Sequence, residues 1–115
     1  MIELIATAES VEQAVELLAT GADTLYIGEE TFGLPLPVSF TRDEQREIVK
    51  RAHEMGKQVL VAVNGIMHPE KMKLVPEYLT FLKEINVDKI TLGDPGIVFI
   101  MQRDGLEIPY VYDGE

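Results

Sequence analysis

The chain has 115 residues, with 10 Lys and Arg against 20 Asp and Glu, for a net charge of −10. That length accommodates one domain, and 46% hydrophobic with 26% charged residues is an ordinary globular composition. The absence of cysteine excludes disulfides, thiolate metal sites, Cys-ligated clusters and a Cys nucleophile within these residues. The acid excess argues against a broad phosphate-binding surface, because nonspecific nucleic-acid affinity comes from Lys and Arg. No apolar run approaches the ~18 residues of a membrane span, and the first twenty residues lack a basic start followed by a hydrophobic block. No membrane association is expected, and a cytoplasmic location is the default.

Five β-rich runs alternate with helical patterns: Glu3–Ala6, Thr24–Ile27, Val59–Val63, Lys89–Leu92 and Pro109–Tyr112. Several are apolar nearly throughout, as in strands covered on both faces. After the first, Ser10 with Gln13 reads as a capping box, and Val11, Ala14, Val15 and Leu18 form one apolar stripe that stops at Gly21. After the second, Thr41 with Glu44 is another capping box, followed by Ile48, Val49, Ala52 and Met55 up to Gly56. Pro69 suits a first helical turn. Pro76 cannot sit mid-helix without loss of a backbone bond, so a short turn and then a helix from about Pro76 to Ile85 are expected. Asp94 caps the fourth helix, with Pro95 at its first position. The order is βαβαβαβαβ.

An internal echo runs through this pattern. Ala22-Asp23-Thr24-Leu25-Tyr26-Ile27-Gly28-Glu29 aligns with Val87-Asp88-Lys89-Ile90-Thr91-Leu92-Gly93-Asp94, offset by 65 residues. Two βα units in that span imply about 32 residues each, the pitch of a repeated parallel architecture, whether by duplication or by convergence. The echo favours half of a TIM-type (β/α)₈ barrel over a five-stranded flavodoxin-like open sheet. A whole barrel takes about 250 residues. The expectation is therefore a single α/β domain over residues 1–115, the N-terminal half-barrel of a longer protein.

In parallel α/β folds ligands bind beyond the carboxyl ends of the strands. The residues there are Thr7 and Glu9, Gly28-Glu29-Glu30, Asn64-Gly65 with His68 nearby, Gly93-Asp94, and Asp113. Glu29 and Asp94 hold matching places in the echo. They suit a carboxylate pair for acid–base work or cation binding, although Asp94 serves equally as a helix cap and Glu29 as a solvated loop residue. His68 is a proton shuttle at the mouth or a cap. Asn64 orients a ligand or supplies the turn that Asn-Gly favours. Catalytic candidates are thus Asp94, His68 and Glu29, with Asn64, Gly28 and Gly93 for substrate binding and no metal ligands. His53, inside the second helix, completes its last turn. The loop Phe32–Phe40 is long for a βα connection, stiffened by Pro35 and Pro37, and either covers the mouth or meets the rest of the protein. No Walker loop, zincin helix, nucleophile elbow or dinucleotide fingerprint occurs.

Glu3–Ala6, Gly21–Gly28, Phe40-Thr41, Ala52–Asn64, Tyr78-Leu79 and Gly93–Gly96 together resemble the N-terminal part of peptidase family U32, the collagenase-like proteases. The combination of Gly21-Ala22-Asp23 with Leu25-Tyr26-Ile27-Gly28 and Ala52–Asn64 carries the likeness. The resemblance implies a larger TIM-type barrel protein and three kinds of activity: proteolysis, prephenate-dependent hydroxylation of tRNA uridine, or cluster-dependent hydroxylation in quinone biosynthesis. The cluster-bearing type uses cysteines further along the chain, so no cofactor is assigned to this segment. The likeness is nearest to the paired tRNA-modifying proteins, in which two related chains work together. Thr7-Ala8-Glu9 departs from the family's usual Pro-Ala-Gly turn, and Leu34-Pro35-Leu36 lacks the Arg often found there. The resemblance thus implies an enzyme acting on a small anionic or peptide-like substrate, with this segment alone inactive. RNA would be held by the remaining half or a partner. The alternative is a noncatalytic assembly subunit pairing with itself or a sister chain.

Overall fold

A computed structural model describes residues 4–28, 40–63, 70 and 73–112. Strands β1 (Ile5–Ala6), β2 (Thr24–Gly28), β3 (Gln58–Val63), β4 (Lys89–Leu92) and β5 (Tyr110–Tyr112) form one sheet. Helices α1 (Val11–Ala19), α2 (Arg42–Glu54), α3 (Val75–Glu84) and α4 (Pro95–Asp104) alternate with them. Every neighbouring pair of strands is parallel, and the spatial order is β1-β2-β3-β4-β5.

That order decides between the two expected architectures. A flavodoxin-like sheet reverses direction and carries helices on both faces. Here Leu25 and Ile27 pair in register with Val59 and Val61, and Val61 and Val63 with Ile90 and Leu92, so these seven side chains share one face. All are fully buried in a single core with Leu18 of α1, Ile48 and Ala52 of α2, Leu79 and Leu82 of α3, and Ile97 of α4. The four helices given above therefore cover the same face, as in a barrel wall.

The helix ends follow local chemistry. Thr41 and Glu44 form the full capping box: Thr41 Oγ1 accepts from Glu44 N at 3.2 Å, and Glu44 Oε1 accepts from Thr41 N at 2.9 Å. At α1, Ser10 Oγ accepts from Gln13 N at 3.0 Å, but Gln13 Oε1 reaches Glu9 N at 2.6 Å rather than the Ser10 amide, so the box is displaced by one residue. Pro76 sits in the first turn of α3, where its missing N–H costs no helical bond. Gly56 follows α2 at φ 72°, a left-handed conformation that favours glycine. Asn86, also left-handed at φ 62°, follows α3.

The two echoed aspartates perform the same task. Asp23 Oδ2 accepts from Leu4 N at 2.9 Å, beside β1, and Asp88 Oδ2 accepts from Val59 N at 2.7 Å, in β3. Each ties the start of its own strand to the strand before it. Each also has a nitrogen-bearing side chain from the end of α2 or just beyond: Lys57 Nζ lies 3.8 Å from Asp23, and His53 Nε2 lies 2.8 Å from Asp88. His53 thus stands in the last turn of α2, as expected, and also clasps the sheet.

Fully buried Gln45 bridges the α2 and α3 layers: its Nε2 donates to Phe40 O at 2.9 Å, and Tyr78 Oη donates to its Oε1 at 2.7 Å. Gln45→Ala removes both of these hydrogen bonds. It is expected to lower urea-unfolding stability by about 2–4 kcal/mol, more than Tyr78→Phe does. A loss below that of Tyr78→Phe would refute the bridge. Asp88→Ala is expected to cost about 1–3 kcal/mol, and Asp88→Asn, which keeps an acceptor for Val59 N, less than half as much, read by the same denaturation.

Candidate functional site

The carboxyl ends of the strands bring Thr7 and Glu9, Gly28, Gly93 and Asp94 to one rim. Gly28 closes β2 and Gly93 follows β4, so the two glycines stand at equivalent places, as the echo implies. Asp94 Oδ1 accepts from Gly96 N at 2.8 Å and caps α4, with Pro95 in the first turn. The helix orients the carboxylate at the rim. Glu29, Asn64 and His68 lie outside the described residues, as do Glu30, Gly65, Pro69, Asp113 and most of the Phe32–Phe40 loop; Phe40 itself is described. It is buried, and its N–H donates to Gly28 O at 2.9 Å, which returns the chain to the end of β2 before α2 begins.

Below the rim, the face opposite the helices carries Thr24, Tyr26, Gln58, Leu60, Ala62, Lys89 and Thr91 by register. Tyr26 Oη lies 3.1 Å from Thr91 Oγ1, although β2 and β4 are separated by β3. Side chains of alternate strands meet in this way only on the concave side of a curved sheet, which is how barrel interiors build their layers. The concave side is therefore the interior, and Tyr26 and Thr91 each lie two residues below a rim glycine. The sequence reading missed this pair. The signal was available: it is the echoed position at which both copies place a hydroxyl-bearing side chain between apolar neighbours.

Further from the rim, Ile5, Thr24, Gln58, Leu60, Lys89 and Val111 line a cavity of about 170 Å³ on the same face. Its level is the amino ends of the strands, away from the rim. Among the described residues, no group of three or more His, Asp or Glu side chains is placed to hold a metal ion. The perturbed ionisations lie on the helix surfaces: a hydrogen bond from Arg51 holds Glu47 below the usual carboxylate range, and Arg103 does the same for Asp104.

Parallel βα units in sequential order, with polar groups gathered at the carboxyl ends of the strands, define a barrel-type α/β protein. The chain belongs to peptidase family U32, whose model matches residues 9–114. It is 38% identical over 106 residues to tRNA hydroxylation protein P2 of Bacillus subtilis (strain 168), a match covering 92% of this chain and 34% of the relative. It is 28% identical over 109 residues to the uncharacterized protease MJ0090 of Methanocaldococcus jannaschii, covering 94% of this chain and 27% of that protein. The solved structure of the U32 peptidase Mk0906 superposes with a TM-score of 0.76 at 17% identity, over 98% of this chain and 49% of that one. The chain thus spans about a third of the Bacillus relative and half of the solved structure.

Asparagine caps helices about as well as aspartate. Asp94→Asn is therefore expected to change stability by only a few tenths of a kcal/mol, and Asp94→Ala to lower it by about 1 kcal/mol. Equal losses in thermal or urea unfolding would show that charge, not capping, fixes this residue.

Proposed function

We propose that the complete protein takes part in prephenate-dependent hydroxylation of uridine in tRNA, in the cytoplasm, with this segment as the N-terminal half of a closed barrel. The observation that carries the reading is the 38% identity to tRNA hydroxylation protein P2 over 92% of this chain. Asp94, Glu29 and His68 are assigned to the chemistry, with Asn64, Gly28 and Gly93 assigned to substrate binding. The edges of the sheet support the half-barrel. Leu4 and Ile5 at β1 and Tyr110, Val111 and Tyr112 of β5 are large apolar residues left exposed, from 41% to 55%. The rest of a barrel would cover them.

Those same edges also favour a second reading, a noncatalytic subunit whose edge strands pair with a sister chain. One experiment separates the readings. The gene is deleted in its host, tRNA nucleosides are measured by mass spectrometry, and the strain is complemented with wild type or Asp94→Asn. Hydroxylated uridine is expected to disappear on deletion and return with wild type. With Asp94→Asn it is expected to return at about one-hundredth of the wild-type level or less, the scale of a lost acid–base group. Unchanged tRNA on deletion would overturn the hydroxylation reading, and full activity of Asp94→Asn would remove Asp94 from the site. Abolition of hydroxylation with wild-type rates for every rim variant would favour the assembly role.

A further inference from the structure

We infer that Lys89 is one half of an ion pair inside the closed barrel, and that the part of the protein outside residues 1–115 brings the other half, an Asp or Glu side chain on an even-numbered strand. The inference rests on the reading that this segment is half of a barrel. Its basis is the place of Lys89 on the concave face, where it lines the cavity of about 170 Å³ with Ile5, Thr24, Gln58, Leu60 and Val111.

The register and one contact fix the layer in which Lys89 lies. Tyr26 is in register with Leu60 and Lys89, yet its hydroxyl meets Thr91, two residues further along β4. Side chains of alternate strands therefore meet with a stagger of two residues. One step lower, the same stagger sets Thr24 of β2 level with Lys89 of β4. Between these two layers it sets Ile5, Leu60 and Val111, from β1, β3 and β5. A barrel layer holds four side chains from alternate strands. The layer of Thr24 and Lys89 is then completed by the sixth and eighth strands, and the apolar layer above shuts it off from the rim.

Charge decides what those strands must bring. Lys89 is exposed in this segment and forms no ion pair among the described residues. Asp88 also borders the cavity, but its carboxylate is held by Val59 N at 2.7 Å and by His53 at 2.8 Å. Asp23 is engaged likewise, by Leu4 N and Lys57. Closing the barrel withdraws water from this layer, and an ammonium left there without a counter-charge is strongly disfavoured. A carboxylate in the same layer neutralises it. The pair then admits one register of closure, because a strand slipped by one residue would turn its acid out of the interior.

The test treats the complete gene product with a carbodiimide, which joins an ammonium to a carboxylate in direct contact, and reads the digested product by mass spectrometry. Lys89 is expected to be joined to an Asp or Glu outside residues 1–115. Lys89→Met keeps the bulk, drops the charge and strands the acid. It is expected to lower the unfolding temperature by about 5 °C or more, against about a degree or less for Lys50→Met on the exposed side of α2. Lys89 joined only to residues of this segment, or to none, would overturn the pair and leave an ammonium that reaches solvent past the amino ends of the strands. A folded Lys89→Met variant as stable as wild type would overturn it too. If that variant fails to fold, the crosslink on wild type decides the matter alone. Amide hydrogen exchange on the same protein reads closure separately, through protection of Ile5 and Ala6 and of Tyr110 to Tyr112 at the edges of the sheet. Protected edges without the crosslink would sink the pair alone. Freely exchanging edges with Lys89 joined to an outside carboxylate would sink the closed barrel and leave the pair standing.

Discussion

The structure depends on the sheet having two unlike faces. On one, Leu25, Ile27, Val59, Val61, Val63, Ile90 and Leu92 are wholly buried beneath four helices. Fully burying each such side chain stabilises by about 1.5–3 kcal/mol, so this face sets the register of every strand. A slip of one residue would turn Thr24, Tyr26 and Thr91 into the helix layer and expose the valines. With these four helices on that face the sheet curves away from them, and the polar alternate residues converge on the inside.

The echo can be understood in these terms. Its aspartate is an anchor at the strand's amino end: Asp23 and Asp88 each capture a backbone N–H of the preceding strand, and each is steadied by a side chain from the end of α2 or just after it, Lys57 or His53. Its middle position faces inward, where Tyr26 and Thr91 meet. Its glycine reaches the rim. One eight-residue pattern therefore encodes register at the bottom and polarity inside. That division holds whether the two copies arose by duplication or by convergence.

Much of this was legible in the sequence. The strand Lys89–Leu92 and the caps at Thr41 and Asp94 stand where composition and spacing put them, because these signals are local: a hydroxyl or carboxylate meets an amide two or three residues away. The strand order was legible only through the echo. What escaped was tertiary. The Tyr26–Thr91 contact, the His53–Asp88 clasp and the Gln45 bridge join residues 65, 35 and 33 positions apart, and no periodicity announces a partner at such distances. Gln45 in particular sits among charged neighbours on a strongly polar helix, and its full burial follows from the Tyr78 hydroxyl on the facing helix rather than from its own surroundings.

Charge has its own consequence for how an RNA would be met. Helix α2 and its neighbours carry much of the chain's positive charge, yet Arg46 pairs with Asp43, Arg51 with Glu47, and Arg42 with Glu77 while lying over the Tyr78 and Phe81 rings. These guanidinium groups are committed to carboxylates on the helix surface, so they add no free basic stripe for a phosphate backbone. With a net charge of −10, the segment as a whole repels a polyanion. Among the described residues, the arginines of α2 therefore serve the helix surface and the contact with the facing helix rather than a nucleic-acid backbone.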